Sequence, residues 1–174
     1  MSEEQTNPFK QFDDSQLFTC AALDITSALT FNELMCKVKA KIFDNFHDDP
    51  ILRSSMVLVN CNRSISQDTS RLNVCLDILK KVVSNLKTEN PEELEKFKKI
   101  RRSKIEQKVL SLEGALDLLF AIGFTIDDSD PDWLVYVEQD EDLKTKMQFV
   151  HELLISPQII PIELDRQLKH ITEE

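Results

Sequence analysis

The chain has 174 residues, of which 41% are hydrophobic, and it carries a formal net charge of −10 with an isoelectric point near 4.8. This length suits one domain with flanking arms or two small domains, and the apolar fraction is sufficient for a core. The acidity disfavours nucleic acid and anionic membrane surfaces as overall partners, because both attract basic proteins. No apolar run approaches the roughly 18 residues of a membrane helix, so membrane insertion is not expected.

Two further features of the composition bear on the cellular compartment. The N-terminal stretch MSEEQTNPFKQFDDS is acidic and polar, which is not the pattern of a signal peptide. We therefore expect the cytoplasm, with the nucleus as the alternative. The cysteines form no C-x-x-C pair and have no histidine at ligand spacing, so we predict free and largely buried thiols in a reducing compartment.

The residue types that catalytic and cofactor motifs require are scarce. The chain has two glycines, whereas a phosphate-binding loop needs several so that its backbone can approach the phosphate. His151-Glu152 begins like a zinc-protease motif, but Ile155 stands where the second histidine belongs. No serine lies in a G-x-S-x-G turn. We predict a protein that is not an enzyme and that uses no cofactor and no metal ion.

The N-terminal third is predicted to be an arm followed by two helices. Residues 1–29 alternate polar side chains with isolated phenylalanines, which indicates a flexible arm that carries a short linear motif or packs loosely. Order is predicted to begin at Thr30, which forms a capping box with Glu33 at the start of a helix. Asp49-Pro50 is typical of a second helix start, and we favour a helix over an extended segment for residues 51–60.

The middle of the chain contains the next two helices. Residues 62–68 are polar and are predicted to form a loop, and a leucine stripe predicts a third helix over 69–87. Asn90-Pro91 is a cap and first-turn pair, which predicts a short fourth helix over 91–101. Residues 103–110 lose the helical period and are predicted to form a loop or a short strand.

A strongly apolar helix and a pair of strands follow. Ser111 is predicted to cap a fifth helix that is apolar nearly all round, central and buried, and that ends at Gly123. Residues 124–126 and 133–137 are predicted to form an antiparallel pair, with 105–110 as a candidate third strand. A sixth helix is predicted over 140–155, and residues 157–174 are predicted to pack back on the domain as an arm or last helix.

One basic run stands out in this acidic chain. It consists of Lys96, Lys98, Lys99, Arg101, Arg102, Lys104 and Lys108. Such a run is typical of a solvated helix face, and it is equally the composition of a docking surface for an acidic peptide. Both interpretations remain open from the residues alone.

The stretch EKFKKIRRSK, followed by LSLEGALDLLFAIGF, resembles the core of the PUB domain. The similarity lies in Lys96-Phe97, in Ile100-Arg101 and in the helix that ends at Ile122-Gly123-Phe124. It is closest to the branch of this family whose members also carry a UBX domain, and it extends from residue 34 to residue 169. The resemblance implies an α+β fold, in which a mostly helical bundle carries a small antiparallel sheet and, here, extra N-terminal helices. The implied organisation is an arm (1–29), a helical extension (30–66), a PUB-like domain (67–156) and a C-terminal arm (157–174).

The resemblance also implies a function. PUB domains have no catalytic activity of their own and bind the acidic C-terminal tail of the valosin-containing AAA ATPase, in ubiquitin-dependent protein handling and ER-associated degradation. The peptide-binding residues it implies are Phe97, Lys98, Ile100, Arg101, Lys104, Ile105 and Leu112. The chain departs from the family pattern by a shorter segment after Arg101, by Lys104 in place of an asparagine and by Phe97 in place of a tyrosine. The alternative is a PUB-fold relative with an altered groove that binds another protein. We expect a monomer.

Overall fold

The computed structural model of the protein describes residues 16–64, 68–137 and 142–165. Its helices are α1 (Phe31–Asn45), α2 (Pro50–Asn60), α3 (Ser70–Asn85), α4 (Pro91–Phe97), α5 (Arg102–Ile105), α6 (Ala115–Ile122) and α7 (Leu143–Ile155). Its strands are β1 (Phe18–Cys20), β2 (Ile25–Leu29), β3 (Lys99–Arg101), β4 (Phe124–Ile126), β5 (Trp133–Tyr136) and β6 (Glu163–Leu164). The strands form two antiparallel sheets, so the predicted α+β class with small antiparallel sheets is confirmed.

Three of the predicted helix starts are found where their capping residues placed them. The Thr30 hydroxyl accepts from the backbone N–H of Glu33 at 3.3 Å, and the Glu33 carboxylate returns to Thr30, so the capping box is complete. The Asp49 carboxylate accepts from the backbone N–H of Leu52 at 3.1 Å, which confirms the helix predicted over residues 51–60. Asn90 caps α4 in the same way. These bonds satisfy N–H groups that the helix itself leaves without a partner.

The prediction of a fourth helix reaching residue 101 is wrong at its C-terminal end. The helix stops at Phe97, and β3 pairs with β5 in the register Lys99 to Val135 and Arg101 to Trp133. The third strand of this sheet is therefore β3 and not residues 105–110. The sheet order is β3-β5-β4, and the predicted pairing of β4 with β5 is confirmed.

The prediction of a loop or strand over residues 103–110 is also wrong. This stretch forms α5 and then a π-helical turn (Glu106–Leu110). The N–H of Ser111 donates to the carbonyl of Glu106 at 2.9 Å, five residues earlier, so Ser111 closes this turn and does not cap α6. The helix begins after Gly114, whose positive φ of 86° reverses the chain.

The main core joins α3, α6 and α7 to the β3-β5-β4 sheet. Its fully buried side chains include Leu79, Leu118, Leu119, Ile122, Phe124, Leu134, Met147 and Leu154. The prediction of a central, buried α6 is confirmed for Ala115, Leu118, Leu119 and Ile122, whereas Asp117 is exposed and Phe120 is left 38% exposed. That side chain points to a groove on the other side of the helix, described below.

A second core lies between the N-terminal strands, α1 and one face of α2. It contains Phe18, Cys20, Ile25, Leu34, Val38, Ile42, Met56, Val57 and Ile160. The predicted loose arm is therefore ordered from residue 16 onward, although residues 1–15 lie outside the described part of the chain. The strand β1 pairs with β2 directly after it in the chain and with β6 more than 140 residues away, where Phe18 pairs with Leu164, and only the second partner is too distant for the sequence to indicate. Residues 163–164 form β6 and not the predicted last helix, and residues 166–174 lie outside the described range.

A buried polar contact ties the C-terminal segment to α2. The Asn60 amide is fully buried and donates to the carbonyls of Met56 (2.9 Å) and Gln158 (3.0 Å). Its oxygen accepts from the N–H of Ile160 at 2.8 Å. Arg63, whose pKa is lowered by burial, donates to the Ile160 carbonyl as well. These bonds fix the chain end that supplies β6.

Two negative findings apply to the described residues. None of their helices combines the length and apolar character needed to cross a bilayer. Their histidine, cysteine and acidic side chains include no group of three or more that could hold a metal ion.

Candidate functional site

The basic run lies on the turn from α4 through β3 into α5. Lys99, Arg101 and Lys104 are exposed to solvent. Phe97 and Ile100 are half-buried and pack against the main core, so they anchor the turn from below. The turn therefore presents cations on a support that the core holds in place.

Arg101 is oriented by the strand next to it. Because β3 pairs with β5, Arg101 lies beside Trp133, and its guanidinium sits 4.7 Å from the centroid of the indole ring. Such cation–π contacts contribute about 0.5–1 kcal/mol at exposed sites. The Arg101 Nε lies 3.8 Å from a carboxylate oxygen of Asp132, a long contact between half-exposed side chains that screening by water leaves weak. The indole thus orients the guanidinium at the surface without neutralising its charge.

Asp132 has a second role, which is to fix the start of α5. Its carboxylate accepts from both the N–H and the hydroxyl of Ser103, each at 3.0 Å. Its backbone carbonyl accepts from the N–H of Arg102 at 2.6 Å. The acidic loop before β5 is thereby fastened to the basic turn. Asp127 in this loop has its pKa lowered by hydrogen bonds from Ser129, with a smaller contribution from Lys99.

The structure divides the predicted peptide-binding residues into two groups. Ile105 and Leu112 are 9% and 5% exposed and belong to the main core, so little of either side chain is open to a ligand on the surface. Ile105 is the last residue of α5 and Leu112 follows the π-helical turn, and both side chains face the main core. The remaining five, Phe97, Lys98, Ile100, Arg101 and Lys104, lie on the turn itself.

Two residues of the site were not predicted from the sequence. Trp133 was assigned to a strand and Asp132 to a polar loop, without a link to the basic run. Only the β3–β5 register brings them to Arg101, and that pairing spans more than 30 residues of sequence. The lone tryptophan was the available signal, since tryptophan and arginine are enriched among the residues that contribute most to protein–protein binding. We call Phe97, Lys98, Arg101, Lys104 and Trp133 the cationic surface.

Lys98 of the cationic surface forms only a weak ion pair within the protein. Its ammonium lies 3.5 Å from the carboxylate of Glu95, one helical turn earlier. A pair of this kind on a helix contributes a few tenths of a kcal/mol, so an incoming carboxylate can replace it. The cationic surface is thus able to exchange its internal partners for those of a ligand.

The turn, the sheet beside it and the helix that ends at Gly123 form one unit, which has the order of elements expected from the resemblance. Residues 69–148 match the family model of the PUB domain. The match covers just under half of the chain, from the start of α3 into α7. No curated protein matches the chain.

The PUB match places the cationic surface inside a protein-interaction module. All of its residues, from Phe97 to Trp133, fall within the matched range. The strands β1, β2 and β6, with α1 and α2, fall outside it and form the second core. The chain therefore combines the segment that matches the PUB model, called the PUB segment below, with a flanking unit built from residues before and after it.

Proposed function

We propose that this protein is a non-catalytic adaptor whose PUB segment binds the acidic C-terminal tail of the valosin-containing AAA ATPase. The observation that carries the proposal is Arg101, an exposed guanidinium held over Trp133 in a row of cations within an acidic chain. The proposal places the protein in the cytoplasm, with the nucleus as the alternative, in ubiquitin-dependent protein handling and ER-associated degradation. It acts there as a monomer.

The chemistry of the cationic surface suits such a ligand. An arginine can bind a carboxylate through two parallel N–H···O bonds, which a lysine cannot do. Lys98 and Lys104 add charge on either side, and the faces of Phe97 and Trp133 offer apolar contact to aliphatic or aromatic side chains of the tail. Charge complementarity of this kind raises the association rate and makes it sensitive to salt.

The test is a titration of the ATPase tail peptide, labelled with a fluorophore, into the full-length chain at low and at physiological salt. Arg101→Ala should weaken binding at least tenfold, since a charge-assisted hydrogen bond contributes about 1.5–3 kcal/mol. Lys37→Ala removes an equal charge from the exposed side of α1, outside the PUB segment, and should leave binding unchanged. Absence of binding by the wild-type chain at low salt rejects the proposal, and so does an equal loss in both variants.

A second candidate is a PUB-fold relative that binds a different protein partner. It is favoured by the carboxylate of Asp132 near Arg101, because an acidic ligand must compete with it. Asp132→Asn keeps an acceptor for Ser103 and removes the charge. If the ATPase tail binds neither the wild-type chain nor this variant, the second candidate replaces the first.

The contribution of the N-terminal residues to partner binding can be tested by deletion, provided that the second core is left intact. Deleting residues 1–30 would remove Phe18, Cys20 and Ile25 from the second core and unfold part of the protein. A deletion that ends at residue 15 leaves β1 and β2 intact. Loss of all partners after this shorter deletion would assign binding to residues 1–15, whereas retained partners would assign it to the rest of the chain.

A further inference from the structure

A groove separate from the cationic surface lies where α1, α2 and α6 meet. It encloses about 400 Å³, a size within the range of sites that hold a ligand or an anchoring side chain. Phe43 of α1 and Phe120 of α6 line it and are 43% and 38% exposed. Val57 and Gly114 also line it. We call it the aromatic groove.

The aromatic groove exists because Gly114 lets two helices approach closely. A Cβ at this position would lie 2.8 Å from the Ser54 carbonyl oxygen and 2.9 Å from the Leu58 nitrogen, both in the backbone of α2. The start of α6 therefore rests directly on α2, and a recess remains between this contact and the two phenylalanines. Two large aromatic side chains exposed on one recess are unusual for a surface that contacts only water.

The charges around the groove are asymmetric. The Arg53 guanidinium lies 5.4 Å from the centroid of the Phe43 ring and donates to the carbonyl of His47 at 3.0 Å. Within residues 16–64, 68–137 and 142–165, no carboxylate forms an ion pair with it. Asp117 also lines the groove, from α6. A ligand carboxylate is thus attracted to Arg53 and repelled by Asp117.

We propose that the aromatic groove docks a partner peptide that carries an aromatic side chain followed within one turn by a carboxylate. The aromatic side chain enters the recess between Phe43 and Phe120, and the carboxylate pairs with Arg53. The groove combines residues of α1 and α2 with residues of the PUB segment, so a PUB segment alone would not form it. This site is additional to the proposed tail binding and does not depend on it.

The chain's own sequence supplies a probe of this chemistry. The stretch NPFKQFDDS, residues 7–15, contains two phenylalanines followed by two aspartates, and it lies outside the described residues. A fluorescent synthetic peptide with this sequence can be titrated into the full-length chain carrying Phe9→Ser and Phe12→Ser, so that the chain's own copy does not compete. If the peptide binds the wild-type chain more weakly than this double variant, the proposal is supported, and the chain's own residues 7–15 also occupy the groove.

Variants of the groove then decide whether binding occurs there. Phe120→Gln and Arg53→Glu should each weaken binding at least tenfold, and Asp117→Asn should strengthen it. Phe43→Gln, on another helix, gives an independent test if Phe120→Gln unfolds. A probe with both aspartates changed to asparagine should bind more weakly to the unaltered groove.

Matched controls make the same chemical changes elsewhere. Phe149→Gln alters a phenylalanine of equal exposure on α7, and Lys41→Glu reverses a charge on the opposite side of α1 from Phe43. Both should leave the probe's affinity unchanged, as should Arg101→Ala, which separates this groove from the cationic surface. The proposal is overturned if the probe does not bind, or if any of these three controls lowers affinity as much as Phe120→Gln does.

Discussion

Replacing Asn60 with alanine should release the C-terminal segment from the second core. The change removes two hydrogen bonds that cross from α2 to this segment, one to the Gln158 carbonyl and one from the N–H of Ile160. The third bond, to Met56, involves a carbonyl inside α2 that the helical pattern already uses. Two backbone groups are therefore left without partners, and Ile160 itself is only 8% exposed.

The expected cost follows from this count. A buried group that loses its partner costs about 1–3 kcal/mol, and Gln158 is exposed enough for water to recover part of its share. We expect the free energy of unfolding to fall by about 2–4 kcal/mol. The amides of Ile160 and of residues 162–164 should also exchange faster with deuterium, because β6 depends on this anchor.

Asn62 offers a matched control two residues away. Its side chain also makes three hydrogen bonds, to the Leu58 carbonyl and to the carbonyl and N–H of Glu113, but it is half-exposed. Water can replace those partners, so Asn62→Ala should cost about 0.5–1.5 kcal/mol. Urea unfolding followed by far-UV circular dichroism measures both variants. Equal losses, or a loss below about 1 kcal/mol for Asn60→Ala, would show that burial does not set the cost here.

Three further predictions concern other parts of the molecule. Gly114→Ala should lower the free energy of unfolding by about 2–4 kcal/mol in a urea titration, because a Cβ is disfavoured at φ 86° and collides with α2. Iodoacetamide at pH 8 should modify exposed Cys36 before Cys61, since burial raises the pKa of Cys61 to about 11 and withholds the reactive thiolate. Burial, followed by the charge of Lys87, lowers the pKa of His151 in the folded protein. The unfolded chain therefore takes up a proton first, and the free energy of unfolding should fall as the pH drops through and below 6.5. His151→Gln should reduce this slope in thermal melts.

Each of these has an outcome that contradicts it. An unchanged urea midpoint for Gly114→Ala would mean that α6 can move away from α2 at little cost. Modification of Cys61 as fast as Cys36, read by peptide mass spectrometry, would mean that the second core opens readily. An identical pH slope with and without His151 would assign the acid sensitivity to other groups.

The local sequence was sufficient to place the starts of α1, α2 and α4, but not that of α6. The capping bonds of Thr30, Asp49 and Asn90 join atoms no more than three residues apart, so the residue order alone specifies them. The composition of α6 predicted its place in the main core, and the resemblance carried by residues around Phe97 predicted the PUB segment that the family match supports. These inferences depend on neighbours in the chain or on a pattern of neighbours.

The tertiary structure decided the features that depend on distant partners. Residues 99–101 became a strand because β5 lies beside them, and the same register put Trp133 under Arg101. Ile105 and Leu112 pack into the main core, which leaves little of either side chain at the predicted peptide surface. Strand β1 lies in the middle of its sheet because β6, at residues 163–164, pairs with it on the side opposite β2. Strand pairing and burial take their free energy from groups that are remote in sequence, so no local pattern could specify them.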